Sequence, residues 1–231
     1  LHLPEIPAHQ GAHAEAKAQL VRFLALRPAH PQAHGRLAAL LYKERKLDEA
    51  DDHCRQSLRT DPDSLEAHST LGMILLERGQ FEESAVQLAE AARLAPDVAV
   101  TNYYCGHALF RQGKPEQAVP YYERAIKLEP KYVPALLDLA SIRIMADAKL
   151  ADLDEALTLT TKACEVTQRR DPLALKTLAA VYAVQGRFGD AARTTREALA
   201  VARATGDQYL AGSIEKMLQV YEQLERRKPG S

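Results

Sequence analysis

Residues 65–98 read LEAHSTLGMILLERGQFEESAVQLAEAARLAPDV, and residues 99–132 read AVTNYYCGHALFRQGKPEQAVPYYERAIKLEPKY. Each block joins two apolar-periodic stretches across a glycine, Gly79 or Gly113, and closes on a proline, Pro96 or Pro130. Glycine gives a tight turn its permissive backbone, and a proline beyond the second stretch stops that helix from continuing. Each block is therefore predicted to be a helical hairpin.

The pattern extends in both directions. Pro28, Pro62, Pro96 and Pro130 recur at intervals of 34 residues. Leu37, Leu71, Cys105 and Leu139 keep the same step, each followed by a small residue: Ala38, Gly72, Gly106 and Ala140. Ala16, Ala50, Ser84 and Ala118 form another column, and Leu20, Cys54, Leu88 and Tyr122 another. Small side chains such as Gly72, Ala50, Ala118 and Ala125 are expected where helix axes approach closely, since larger ones would force them apart. Asp48, Glu49, Glu82, Glu83 and Asp190 fall at the starts of second helices, where a negative charge complements the helix dipole. A fixed period of this length marks a repeat architecture.

Composition agrees with a packed helical chain. Of the 231 residues, 46% are apolar and 26% charged, enough apolar surface to bury a core. Thirty Lys and Arg balance 31 Asp and Glu, giving a net charge of −1 and no long-range attraction to nucleic acid or anionic membrane. No apolar run approaches the roughly 20 residues a membrane span requires, so no direct membrane insertion is expected, and no leader resembling a signal peptide is evident. A start at Leu1 rather than methionine points to a processed or excised chain. Cys54, Cys105 and Cys164 are too few and too scattered for a disulfide framework or a zinc site, and are expected as buried thiols.

These columns resemble the tetratricopeptide repeat, from about Gly11 onward. Residues 65–98 carry Leu71-Gly72, Gly79, Phe81, Ala91 and Pro96 at that family's signature places, and residues 99–132 carry Gly106, Gly113, Ala118, Tyr122, Ala125 and Pro130. The resemblance implies an all-α fold: a right-handed α-solenoid of antiparallel helical hairpins with a C-terminal capping helix. Its parts are a partial hairpin at 1–30, repeats at 31–64, 65–98 and 99–132, a repeat at 133–171 with an insertion between Met145 and Asp152, a repeat at 172–205, and a cap at 208–227. The repeat at 31–64 departs from the pattern, with Arg45 in place of the turn glycine and Ser57 in place of an alanine. From Leu136 to Leu224 the chain looks like the tetratricopeptide arm of large bacterial proteins, some with an enzymatic or membrane part. That likeness implies a bacterial origin, and a soluble chain in the cytoplasm or an extracytoplasmic arm.

Candidate chemistry is sparse. His9 with His13, and His30 with His34, have the four-residue spacing of a helical metal pair, but each lacks a third ligand. Asp147, Asp152, Asp154 and Glu155 cluster without the glycine and spacing of a calcium loop, and are expected as a solvated loop with Asp154 opening a helix. No phosphate loop, nucleophile elbow or Ser-His-Asp set occurs. The chain is accordingly expected to be non-catalytic, with no cofactor and no metal.

The resemblance implies a concave groove lined by the first helix of each hairpin, at helix positions two, five, nine, twelve and thirteen. Carried onto this sequence, these give Tyr42, Lys43, Ser69, Met73 and Leu76, then Tyr103, His107, Phe110 and Arg111, then Leu137, Ser141, Ile144 and Met145, and Lys176. Gly35 and Ala39 stand where relatives that clamp a terminal carboxylate carry polar groups, and the asparagine ladder of sugar-transferase relatives is missing. The expected function is protein-protein interaction: a peptide or protein segment held in the groove. The alternative is an arm that positions a removed catalytic part or mediates self-assembly. Self-association is expected at the N-terminal end, where Leu20, Phe23 and Leu24 would expose apolar surface.

Overall fold

The computed structural model describes residues 10–145 and 151–227. They form twelve α-helices and, among the described residues, no strand. The hairpins are α2 (Pro31–Lys43) with α3 (Leu47–Thr60), α4 (Leu65–Glu77) with α5 (Phe81–Leu94), α8 (Val133–Arg143) with α9 (Leu153–Val166), and α10 (Pro172–Val184) with α11 (Phe188–Ala204). Before them stands α1 (Gln10–Leu26), between them α6 (Ala99–Arg111) and α7 (Pro115–Leu128), and after them α12 (Gln208–Arg226). Each hairpin also packs on its neighbour, α3 on α4, α5 on α6 and α9 on α10. This sequential packing defines an all-α helical-repeat solenoid. The chain divides into two compact units, Leu1–Tyr121 and Tyr122–Ser231, the division falling inside α7.

In the N-terminal unit the small column does what its size allows. A Cβ on Gly72 would stand 2.5 Å from Leu88 Cγ, and Ser84 Oγ donates to the Gly72 carbonyl at 2.7 Å. Ala16, Ala50 and Ser84 are likewise buried, and Leu20, Cys54 and Leu88 are sealed beneath them. The three cysteines are buried free thiols. Burial pushes Cys54 up to about 12, and Cys105 and Cys164 up to about 11.

One expectation fails here. Leu20, Phe23 and Leu24 are 0%, 4% and 8% exposed, in one cluster with Leu37, Leu40 and Leu41. The open apolar surface that self-association through the N-terminal end required is therefore absent at these residues. The α1 stripe is covered by three leucines of α2, Leu37, Leu40 and Leu41, which share its cluster.

The turns of both units use left-handed backbone. Gly79, Gly113 and Gly186 have φ of 74°, 80° and 72°, and Arg45 adopts φ 64° at the equivalent place. A non-glycine residue there costs about 1–2 kcal/mol, while the exposed Arg45–Glu77 ion pair, 2.7 Å long, returns at most about 1 kcal/mol. Arg45→Gly is expected to leave the thermal midpoint unchanged or raise it by a few degrees. A clear drop would show that the Glu77 contact outweighs the strain.

A feature that the columns did not disclose ties three of the loops to the helix that follows. The Pro28 carbonyl accepts from His34 Nε2 at 2.8 Å, and the Pro62 carbonyl from His68 Nε2 at 2.8 Å. Asn102 Nδ2 donates to the Pro96 carbonyl at 2.9 Å. His34 Nδ1 also lies 2.8 Å from His53 Nδ1, the rings stacked at 5.0 Å, where the following repeat pairs His68 with Gln87. Burial, reinforced by the His34 charge, holds the His53 imidazole below its ordinary value, against Asp52 and Glu49, which act the other way. The unfolded chain thus takes up a proton near pH 6.5 that the folded chain refuses until lower pH, so stability falls as pH drops below about 6.5. His53→Gln, which copies Gln87, is expected to flatten that fall in thermal melts between about pH 7 and 5.5. An identical slope in the variant would assign the acid sensitivity to other groups.

Candidate functional site

The proposed lining residues divide between the two units. In the N-terminal unit they come from α2, α4 and α6, which start in the same register because Ala33, Ala67 and Thr101, at position three of each, are all buried. Tyr103, His107 and Phe110 lie on successive turns of α6 and are each half-buried. The Tyr103 ring stacks on His107 at 5.6 Å and 28°, and meets Tyr104 edge-on at 5.2 Å. Ring contacts thus join Tyr103, Tyr104 and His107, and Phe110 follows on the next turn of the same face.

The remaining N-terminal candidates are occupied to different degrees. Tyr42 donates to Glu77 at 2.6 Å, and Glu77 also holds Arg45, so this phenol joins the first hairpin to the second. Burial and then the Glu77 hydrogen bond raise its pKa above the ordinary phenol value. Leu76 packs against the cluster of Leu88, Cys105 and Ala108, and serves the core between hairpins. The Arg111 guanidinium sits over the Phe81 ring at 4.6 Å, at the turn beside Gly79 and Gln112. Lys43 is exposed, and Ser69 and Met73 are half-buried. The sequence grouped Arg111 with the aromatic pair; the structure gives it a ring of its own.

In the C-terminal unit Leu137 and Ser141 are half-buried on α8, with Ser141 Oγ donating to the Leu137 carbonyl at 2.8 Å. Ile144 is the residue that ends this helix, and Met145 after it is 43% exposed. Lys176 is half-buried on α10. Asp152, from the acidic group, caps α9 by accepting from the Glu155 amide at 2.8 Å; Asp147 lies outside the described residues. His9 also lies outside them, and His30 caps α2 through Nδ1 at 3.3 Å from the Ala33 amide. No group of three or more His, Cys, Asp or Glu suited to a metal occurs among the described residues. No described helix is long and apolar enough to cross a membrane.

Sequential antiparallel hairpins with a small-residue seam and left-handed turn glycines define a helical-hairpin repeat protein. Two family models, both described as tetratricopeptide repeat, match residues 9–64, 46–99 and 99–132. The chain belongs to the tetratricopeptide repeat family, whose fold serves as a scaffold for protein-protein interaction. Among solved structures it is similar to pilF of Pseudomonas aeruginosa, with a TM-score of 0.71 at 21% identity, over 90% of this chain and 90% of that one. It is also similar to YrrB, a TPR protein with an unusual peptide-binding site, with a TM-score of 0.70 at 19% identity, over 87% of this chain and all of that one. MamA gives a TM-score of 0.65 at 18% identity, over 77% of this chain and 94% of that one. No curated protein matches the chain at significance.

Proposed function

We propose that the chain is a non-catalytic interaction module that holds a peptide or protein segment against the first-helix face of its hairpins. The carrying observation is the Tyr103–His107 stack, continued by Phe110 on one face of α6. Large aromatic side chains bury much area at small entropic cost, and they are enriched where binding energy concentrates. Alanine would satisfy a helix that needed only to pack, so the aromatic strip supports a binding role. That YrrB is a TPR protein with a peptide-binding site supports the same reading.

The test is Tyr103→Ala with Phe110→Ala, measured against peptides selected from a random library on the wild-type chain. Binding is expected to weaken about tenfold or more, with helicity and melting close to wild type. Unfolding of the double variant would make the strip a core element, and undiminished binding by a folded variant would place the ligand elsewhere.

A further inference from the structure

The histidine pair of the hairpin α2–α3 carries a chemistry that its packing does not require. His34 lies buried on α2, and His53 lies half-buried on α3. The corresponding pair of the next hairpin is His68 with Gln87, so a glutamine serves the fold at the second place. One repeat further, Asn102 takes the first place and donates to the Pro96 carbonyl. Amides therefore meet the structural needs of both places, yet the first pair has two imidazoles.

The protons of this pair can be assigned. A carbonyl only accepts, so His34 Nε2 carries a hydrogen and donates it to the Pro28 carbonyl at 2.8 Å. In the neutral ring that leaves a lone pair on His34 Nδ1, facing His53 Nδ1 at 2.8 Å. An imidazole that donates one nitrogen to a backbone carbonyl and offers the other as a lone pair has the second shell of a metal ligand, its tautomer and ring orientation fixed. When His53 carries its hydrogen on Nε2 rather than Nδ1, it offers a lone pair to the same point, and no proton is gained or lost. The ring centres are 5.0 Å apart, so both Nδ1 atoms lie between the rings.

Distance then selects the ion. Metal–imidazole bonds are about 2.0 Å long, so two such nitrogens stand about 2.8 Å apart at adjacent corners of a square and about 3.3 Å apart on a tetrahedron. The observed 2.8 Å fits the square, the preference of divalent copper and nickel among nitrogen and oxygen donors. The surroundings suit a cation as well. Asp52 and Glu49 act electrostatically on His53, and the exposed Glu49, one helical turn before it, has Lys46 at 3.9 Å.

We propose that His34 and His53 chelate one divalent ion of the copper and nickel class through their Nδ1 atoms, with water completing its coordination. A turn of the half-buried His53 ring brings both lone pairs onto the ion. Two protein ligands are fewer than a structural metal centre uses, so the ion exchanges with solution. Because α2 and α3 each supply one ligand, the ion binds the folded hairpin and stabilises it. The site shares no residue with the aromatic face of α6 and does not depend on that reading.

The test titrates the metal-free whole chain with copper(II) chloride, and in parallel with nickel and zinc chlorides, in wild type, His53→Gln and His34→Asn. The two substitutions copy Gln87 and Asn102, so in chelator all three chains should give the same circular dichroism. Copper is expected to raise the thermal midpoint of wild type most, nickel less and zinc least. Each variant should bind this copper at least about tenfold more weakly and lose most of the shift. In wild type, copper should also broaden the imidazole NMR signals of His34 and His53 together, a reading that needs no variant and decides the matter even if a substitution disturbs folding. An equal midpoint shift in all three chains, or His34 and His53 signals that persist with copper in excess, overturns the site and leaves the pair a hydrogen bond alone. Zinc binding more tightly than copper overturns the square geometry and with it the proposal.

Discussion

Deleting residues 208–231 is expected to lower the thermal midpoint of the C-terminal unit by about 10 °C or more and to make the chain aggregate. The reason lies in what α12 covers. Ile214 and Ala211 are buried, Leu210, Met217, Leu218 and Tyr221 are half-buried, and α12 packs along α11, where Ala198, Leu199 and Ala202 are sealed. A large side chain contributes about 1.5–3 kcal/mol when fully buried, so one buried isoleucine with its half-buried neighbours amounts to about 3–6 kcal/mol. In a repeat protein each interface is a nearest-neighbour contribution that no distant contact replaces. The exposed pairs Arg196–Glu222 and Arg203–Glu215 add little. Glu222→Gln should therefore melt almost as wild type, which separates packing from charge. A truncated chain with unchanged midpoint and clean elution would show that α12 does not cap the unit.

The fold was legible because hairpin packing imposes the same size demand at the same place in every repeat. Gly72 and Leu88 lie in phase with their counterparts, and the small residue faces the large one across a contact too tight for a Cβ. Arg45 was visible as an anomaly at a turn position, and its φ of 64° shows the same left-handed turn built from a costlier residue. The loop tie was hidden because the column His34, His68, Asn102, Leu136 keeps histidine in only two repeats, and nothing in sequence says that the asparagine donates to the same carbonyl as the histidines do.

The candidate site was only partly legible. Tyr103, His107 and Phe110 could be placed on one face from spacing alone, but Leu76 and Arg111 fell at equally good positions and have other engagements. Helical phase gives direction, whereas occupancy depends on neighbours distant in sequence. The exposure of Leu173, Val184, Tyr209 and Val220 was not anticipated, for a different reason. Positions two and thirteen were not carried onto α10 and α12, and a cap helix was expected to present a solvated outer face. Tyr209 is instead 92% exposed.

The seam also sets the sharpest contrast between two glycines. Gly72→Leu is expected to cost about 3 kcal/mol or more, while Gly35→Ala is expected to stabilise by up to about 1 kcal/mol. At Gly72 even the first added carbon would stand 2.5 Å from Leu88 Cγ and 2.8 Å from its Cδ2. Leu88 is itself 1% exposed, so it cannot swing out to solvent without leaving the core. The Ser84 hydroxyl, bonded to the Gly72 carbonyl, further resists separation of α4 from α5. At Gly35 an added Cβ meets Glu66 Cβ at 3.5 Å and Ser57 Oγ at 3.6 Å, which is ordinary contact, and alanine removes the entropy penalty of glycine inside a helix. Urea unfolding of both variants measures the difference directly. If Gly72→Leu unfolds within about 0.5 kcal/mol of wild type, the close approach of α4 and α5 is not what requires glycine there, and the small-residue column loses its physical basis.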